Sequence, residues 1–137
     1  MTAGWLVDKS AYARLDLSPD ADGWLDRINR GLVHITTITL LEIGYSALNA
    51  EHWSAFQQSP PISLLPVADI TPRAERRAVD IQGQLALRGQ HRAPSIPDLL
   101  IAAVAETAGL TVLHLDKDLE LISAVTGQPM ERLIGPF

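Results

Sequence analysis

The sequence predicts an α/β protein, a three-layer α/β/α sandwich with a mainly parallel sheet, and three observations carry that expectation. Apolar, β-branched runs alternate with stretches of helical periodicity along the whole chain. The run Thr111-Val112-Leu113-His114-Leu115 reads as a continuous apolar strand, as central parallel strands do. Two strands end abruptly in carboxylates, Asp8 after Trp5-Leu6-Val7 and Asp116 after Leu115. In open sheets of this class, ligands bind at the carboxyl ends of the strands.

Taken in order, the first strand leads through Asp8 into a short helix over 11–15. Pro19 and the acids Asp20, Asp22 and Asp26 open a second helix with Trp24, Leu25 and Ile28 as its apolar face; acids in a first turn suit the helix dipole. Gly31 ends it, and Val33 to Thr36 forms a short β-branched strand. A helix from Thr37 shows the stripe Ile38, Leu41, Tyr45 and Leu48, with Glu42 at its edge and therefore partly buried. A short helix spans 51–58, closed by Pro60-Pro61, and Ile62 to Val67 reads as a buried strand.

Thr71 caps a long helix with Pro72 in its first turn and Ala74, Ala78, Ile81 and Leu85 as its buried stripe. Arg73, Arg77 and Arg88 share the other face. Ser95-Ile96-Pro97-Asp98 starts a helix that is apolar nearly all round, the mark of a core helix, and Gly109 ends it. After the strand 111–115, a helix covers 119–125 and a last short strand 131–134.

Length and composition bound the function. A chain of 137 residues makes one domain with a proper core, spanning 1–137. There is no cysteine, hence no disulfide framework and no thiolate metal site. The longest apolar run, Leu99 to Ala105, is far short of the ~20 residues needed to cross a bilayer, and the first residues show no basic region followed by a long apolar one. The expected location is the cytoplasm, with no membrane partner. The net charge of −5 is unusual for a nucleic-acid binder, but residues 73–92 carry a local balance of +3, and acids gathered around cations would be neutralised.

Four acids stand where such a sheet presents them: Asp8 and Asp116 end strands, Asp98 begins a buried helix, and Glu42 edges an apolar stripe. Each also has a structural reading. Asp8 and Asp116 could start turns or cap helices, as could Asp118 in a first turn; Asp98 could be the third residue of a capping box with Ser95; Glu42 could be a solvated charge. Gathered at one edge they would repel one another and raise each other's pKa values unless a cation were present. Mg²⁺ takes oxygen ligands, commonly one or two carboxylates plus water and phosphate. Such an arrangement serves metal-assisted phosphodiester hydrolysis, in which the metal lowers the pKa of the attacking water.

The motifs Val7-Asp8-Lys9-Ser10-Ala11, Leu41-Glu42, Pro97-Asp98-Leu99-Leu100-Ile101-Ala102-Ala103 and Leu115-Asp116-Lys117-Asp118-Leu119, in this order, resemble the PIN-domain family, and within it the VapC-type toxins of bacterial toxin–antitoxin pairs. The resemblance spans the chain. It implies a metal-dependent endoribonuclease toxin, using Mg²⁺ or Mn²⁺, with an RNA substrate, a cognate antitoxin that blocks the site, and a homodimer or toxin–antitoxin hetero-oligomer. Asp8, Glu42, Asp98 and Asp116 match the family's acidic quartet. The resemblance makes Asp8 and Asp98 direct metal ligands, has Glu42 and Asp116 bind metal through water or a second ion or position the nucleophile, adds Asp118 as a further metal-site acid, and makes Ser10 the small hydroxyl residue that hydrogen-bonds within the site. Lys9 stands where the family often has Thr or Ser, and either adds a cation near phosphate or faces solvent. Leu119 replaces a common Phe.

The basic face of Arg73, Arg77 and Arg88 is a candidate RNA contact or a solvated helix face. The four histidines lack metal-ligand spacing, and His34 and His114 read as structural. Trp5 reads as core, as do Trp24 and Trp53 unless they line a groove for an antitoxin helix. A phosphatase with Asp8 as nucleophile would want a second Asp where Ser10 stands, and a receiver-like phosphoacceptor fits poorly because Lys117 follows Asp116 directly. A module of the same fold that binds RNA or antitoxin without cutting is the alternative in a different class.

Overall fold

The computed structural model describes residues 4–137. The elements run β1 (Trp5–Val7), α1 (Lys9–Tyr12), α2 (Ala21–Asn29), β2 (Val33–His34), α3 (Thr37–Tyr45), α4 (Ala50–Gln58), α5 (Pro72–Ala86), α6 (Ile96–Ala108), β3 (Thr111–His114), α7 (Lys117–Thr126) and β4 (Met130–Arg132), with 3₁₀ turns at Leu15–Leu17 and Ile62–Leu64. The sheet order is β2-β1-β3-β4, and every pairing is parallel. β1 therefore lies beside β3, which brings Asp8 and Asp116, distant in sequence, to one edge.

The alternation of side chains along these strands makes the three layers. Leu6 and Val112 point into one core with Ala74, Ala78, Ile81 and Leu85 of α5, the apolar face of α6, and Leu119 and Ile122 of α7. Val7 and Leu113 point into the other with Ala11, Trp24, Ile28, Ile35, Ile43, Ile62 and Leu65. The buried stripe of α5 and the all-round burial of α6 are as the sequence predicts.

Several local expectations are corrected. The predicted strand 62–67 is a 3₁₀ turn over Ile62–Leu64 followed by a single bridge between Val67 and Ile35. Pro61 precedes the segment and Pro66 lies within it, and proline has no N–H for a ladder. The α3 stripe is misplaced: Leu41, Tyr45 and Leu48 are exposed, while Thr39 and Ile43 are buried and Ile38 is half-buried. Leu25 is exposed while Trp24 and Ile28 are buried. Trp53 is half-exposed, and Trp5 is half-buried, packed edge-on against Trp24 with the Arg27 guanidinium over both rings. α1 starts at Lys9, directly after Asp8, α7 starts at Lys117, and β4 ends at Arg132.

Candidate active site

Backbone geometry first places the acids. Asp8 continues β1 by donating its N–H to the Leu113 carbonyl (2.9 Å), then turns the chain into α1. Its Oδ2 accepts from the Ser10 N–H (3.2 Å) and the Ser10 hydroxyl (2.5 Å). The Ser10 Oγ in turn accepts from the Leu115 N–H (2.9 Å), so one hydroxyl ties the ends of β1 and β3 together. Beyond β3, the Asp116 Oδ1 caps α7 by accepting from the Asp118 N–H (2.9 Å), and the Asp116 N–H donates to Nδ1 of the buried His114 (3.1 Å). Asp98 and Ser95 form a full capping box at the start of α6, each side chain accepting from the other's backbone N–H at 3.2 Å. The capping and site readings of these aspartates thus hold together: the cap aims each carboxylate at the sheet's carboxyl edge.

Their oxygens converge there. Asp98, Asp116 and Asp118 each offer an oxygen within 4.8 Å of the others. Asp8 and Glu42 line the same cleft of about 570 Å³, with Lys9, Ser10, Arg14, Arg92 and Ser95 completing its walls. Asp98, 8% exposed, has its pKa pushed up to about 6, chiefly by burial, with the charges of Asp116 and Asp8 adding and the Ser95 hydrogen bonds opposing. Glu42 is also raised, by burial first and by Asp8 second, with Lys9 opposing. Its Oε1 is buried without a hydrogen-bond partner.

A buried carboxylate oxygen without a partner is an expensive feature unless something supplies positive charge. Three further carboxylates within mutual reach and a fourth in the same cleft make a set of hard oxygen donors. These residues fit a divalent cation of the Mg²⁺ or Mn²⁺ type.

The predicted site residues divide into two groups. Asp8, Ser10, Glu42, Asp98, Asp116 and Asp118 come together. Arg73 and Arg77 do not. Arg77 pairs with Glu106 near the end of α6, and both arginines line a separate depression with Arg76, Asp80 and Thr107. Glu106 stands eight residues beyond Asp98 on α6, about 12 Å along the axis. Arg88 is exposed past the end of α5. The cations that line the cleft are instead Lys9, Arg14 and Arg92. Arg14 follows Ser10 by one helical turn, and Arg92 precedes the Ser95 cap by three residues, so proximity in sequence to the acidic motifs was the available signal. His114 is a satisfied structural residue, its pKa lowered mainly by burial; the Nδ1 of His34 is buried without a partner.

Residues 7–125 match the family described as PIN domain. The chain belongs to the PIN domain family and, within it, to the VapC group. Over 129 residues it is 58% identical to a protein named Ribonuclease VapC2 from Mycobacterium tuberculosis (strain CDC 1551 / Oshkosh), covering 94% of this chain and 92% of that one. Among solved structures it is similar to a member of the VapBC family of toxin–antitoxin systems, VapBC-5 from Mycobacterium tuberculosis, at 26% identity and TM-score 0.63, covering 96% and 98% of the two chains. It also shares its fold with DNA-bound VapBC from Salmonella typhimurium, at TM-score 0.73 and 24% identity, covering 94% and 97%. Among the described residues, no helix is long and apolar enough to cross a membrane.

Proposed function

We propose that this chain is an endoribonuclease toxin that hydrolyses RNA phosphodiester bonds with Mg²⁺ or Mn²⁺ and is held in check by a cognate antitoxin. The observation that carries the reading is the convergence of five carboxylates in one cleft at the carboxyl edge of a parallel sheet, two of them with raised pKa values. The names of the relatives support the substrate class and the partner.

Asp98, Asp116 and Asp118, with Asp8 beside them, would hold the cation. A bound divalent cation supplies acidity to its water and screens the charge that develops on the phosphoryl oxygens. Ser10 fixes the Asp8 carboxylate and locks β1 to β3, so the acids sit on rigid elements. Glu42, raised and lacking a partner at Oε1, is suited to take the proton from the attacking water at that atom. No side-chain nucleophile is required: the water oxygen bonds to phosphorus as the P–O bond to the leaving oxygen breaks, and that oxygen takes its proton from solvent.

The partner surface is apolar. Tyr12, Leu15, Trp24, Leu25, Ile28 and Pro61 line a groove of about 350 Å³, which offers seats for the apolar face of an antitoxin helix. The exposed Leu41, Tyr45 and Leu48 provide a second apolar surface, suited to self-association in a homodimer or within a toxin–antitoxin hetero-oligomer. Arg73 and Arg88 remain proposed outer contacts for a long RNA; Arg77 is committed to Glu106.

The test is cleavage of a panel of structured RNAs, tRNAs included, with Mg²⁺ or Mn²⁺, against EDTA and Asp98→Asn as controls. Cleavage that needs metal and vanishes in both controls is expected. Binding of RNA in all conditions without cutting would replace the nuclease with the non-catalytic module.

A further inference from the structure

Three cations share the cleft with five carboxylates, yet among the described residues none of the three forms an ion pair. The ion pairs present are Arg30–Asp26, Arg77–Glu106 and Arg132–Glu120. Lys9 is the first residue of α1, adjacent in sequence to Asp8, and is half-buried in the wall. Arg14 lies one turn past Ser10 and is exposed; among the described residues its side chain's polar contact is a long one, Nη1 to the Ser10 carbonyl at 3.5 Å. Arg92 is exposed on the loop that leads into α6. Opposite charges in one cleft that stay unpaired are spaced for different ligands. The acids, two of them buried, make the floor, and the cations make the rim.

We propose that Lys9, Arg14 and Arg92 form a phosphate-holding rim that seats the RNA backbone on either side of the scissile bond, with Lys9 as the innermost contact. The inference rests on the nuclease reading above and adds which residues position the substrate. A guanidinium at each outer position can grip phosphate through two N–H groups, and the compact ammonium of Lys9 fits the narrower space beside the carboxylates. Because backbone contacts carry no sequence information, the rim sets affinity and register and leaves base choice to other residues.

The test measures binding separately from cutting. Fluorescein-labelled single-stranded RNA oligonucleotides of several sequences are titrated, by anisotropy across a range of KCl, with full-length protein carrying Asp98→Asn in Mg²⁺. A second arm uses otherwise unmodified protein in EDTA, so that misfolding in the Asp98→Asn background leaves the question open to measurement. Lys9→Met, Arg14→Gln and Arg92→Gln should each weaken binding by a similar factor for every sequence and reduce the slope of log Kd against log salt by about 0.7, the value for one single-strand phosphate contact. Lys9→Arg should restore the slope, and Arg30→Gln, an exposed cation paired with Asp26, should leave it unchanged. In cleavage by the wild-type background, the same variants should raise KM with kcat little changed.

Unchanged slopes in all three variants overturn the rim, as does a loss that Arg30→Gln reproduces or an absence of measurable RNA binding in both arms. Wild-type cleavage with unchanged slopes sinks the rim alone. Shifted slopes with no cleavage by any metal-loaded protein sink the nuclease reading and with it the placement about a scissile bond, and leave the three cations as a phosphate-binding surface alone.

Discussion

A carboxyl group as buried as that of Asp98 favours its proton, and its pKa of about 6 has consequences for stability as well as chemistry. The folded value lies above the unfolded one, so the protonated group's contribution to stability is fully present below the unfolded pKa of 3.8 and is lost as pH rises through the folded pKa. In metal-free protein, Asp98→Asn should therefore match wild type near pH 4 and exceed it at pH 8 by up to about 3 kcal/mol in urea unfolding, because it removes an uncompensated buried charge while keeping an acceptor for the Ser95 N–H. Wild-type cleavage should fall as the pH is made acidic, because protons compete with the cation for the Asp98 carboxylate, with the midpoint below the metal-free value of about 6; flat activity down to pH ~4, near the reference carboxylate values, would count heavily against the mechanism. Glu42→Gln keeps the size of the side chain and removes its basicity. If Oε1 accepts the water's proton, single-turnover cleavage should slow by roughly 10²- to 10⁴-fold with the unfolding midpoint little lowered.

At the level of elements, helix caps do two jobs. Ser95 caps α6 and orients Asp98; Thr71 caps α5 through the Ala74 N–H at 3.1 Å and touches no site residue. Ser95→Ala and Thr71→Ala should each cost about 1 kcal/mol of stability, measured by chemical denaturation. Only Ser95→Ala should also reduce cleavage: it removes the hydroxyl that anchors the Asp98 N–H and so loosens the first turn of α6 that carries the carboxylate, while the Ser95 N–H that the carboxylate accepts from remains. If the two variants lose activity equally, the cap does not position the acid. The misread face of α3 has a similar origin in local chemistry. Thr37-Ile38-Thr39-Leu40-Leu41-Glu42-Ile43 offers apolar or compact residues on several faces, so helical periodicity admits more than one stripe. Thr39 is buried because its Oγ1 meets the capping Thr36 Oγ1 at 3.2 Å, a polar solution that an apolar-stripe search passes over. Gly44 is where α4 comes close: a Cβ there would stand 2.8 Å from Nε1 of Trp53.

For the whole molecule, a cation that binds only the folded chain adds stability by mass action, about 2.7 kcal/mol at a hundred times its Kd. Mg²⁺ or Mn²⁺ should accordingly raise the thermal midpoint of wild type, and raise it much less in Asp98→Asn. Calorimetry showing equal shifts in both would place the cation elsewhere. The exposed face of Leu41, Tyr45 and Leu48 makes a second whole-molecule prediction. Tyr45→Glu, at a position 91% exposed, should leave folding stability within ~0.5 kcal/mol while lowering the self-associated mass seen by sedimentation. A variant that sediments like wild type would remove this face from the assembly.

Much of the architecture was legible in residue order because period and punctuation are local properties. The strand tips ending in Asp8 and Asp116, the capping box of Ser95 and Asp98, the cap and stripe of α5, and the apolar character that buries α6 are all patterns a few residues long. Recurring motifs then marked Asp8, Glu42, Asp98 and Asp116 as one set. Tertiary structure alone decided which faces and charges meet. The β2-β1-β3-β4 order brings the first and third strands side by side, and only then do acids more than a hundred residues apart share a cleft. The antiparallel run of α5 against α6 carries Arg73 and Arg77 to the end of α6 remote from Asp98, while loop and helix starts bring Lys9, Arg14 and Arg92 to the rim. Charge in a sequence is counted along a line, but its action depends on distance through space, and that distance is set by how sheet and helices pack.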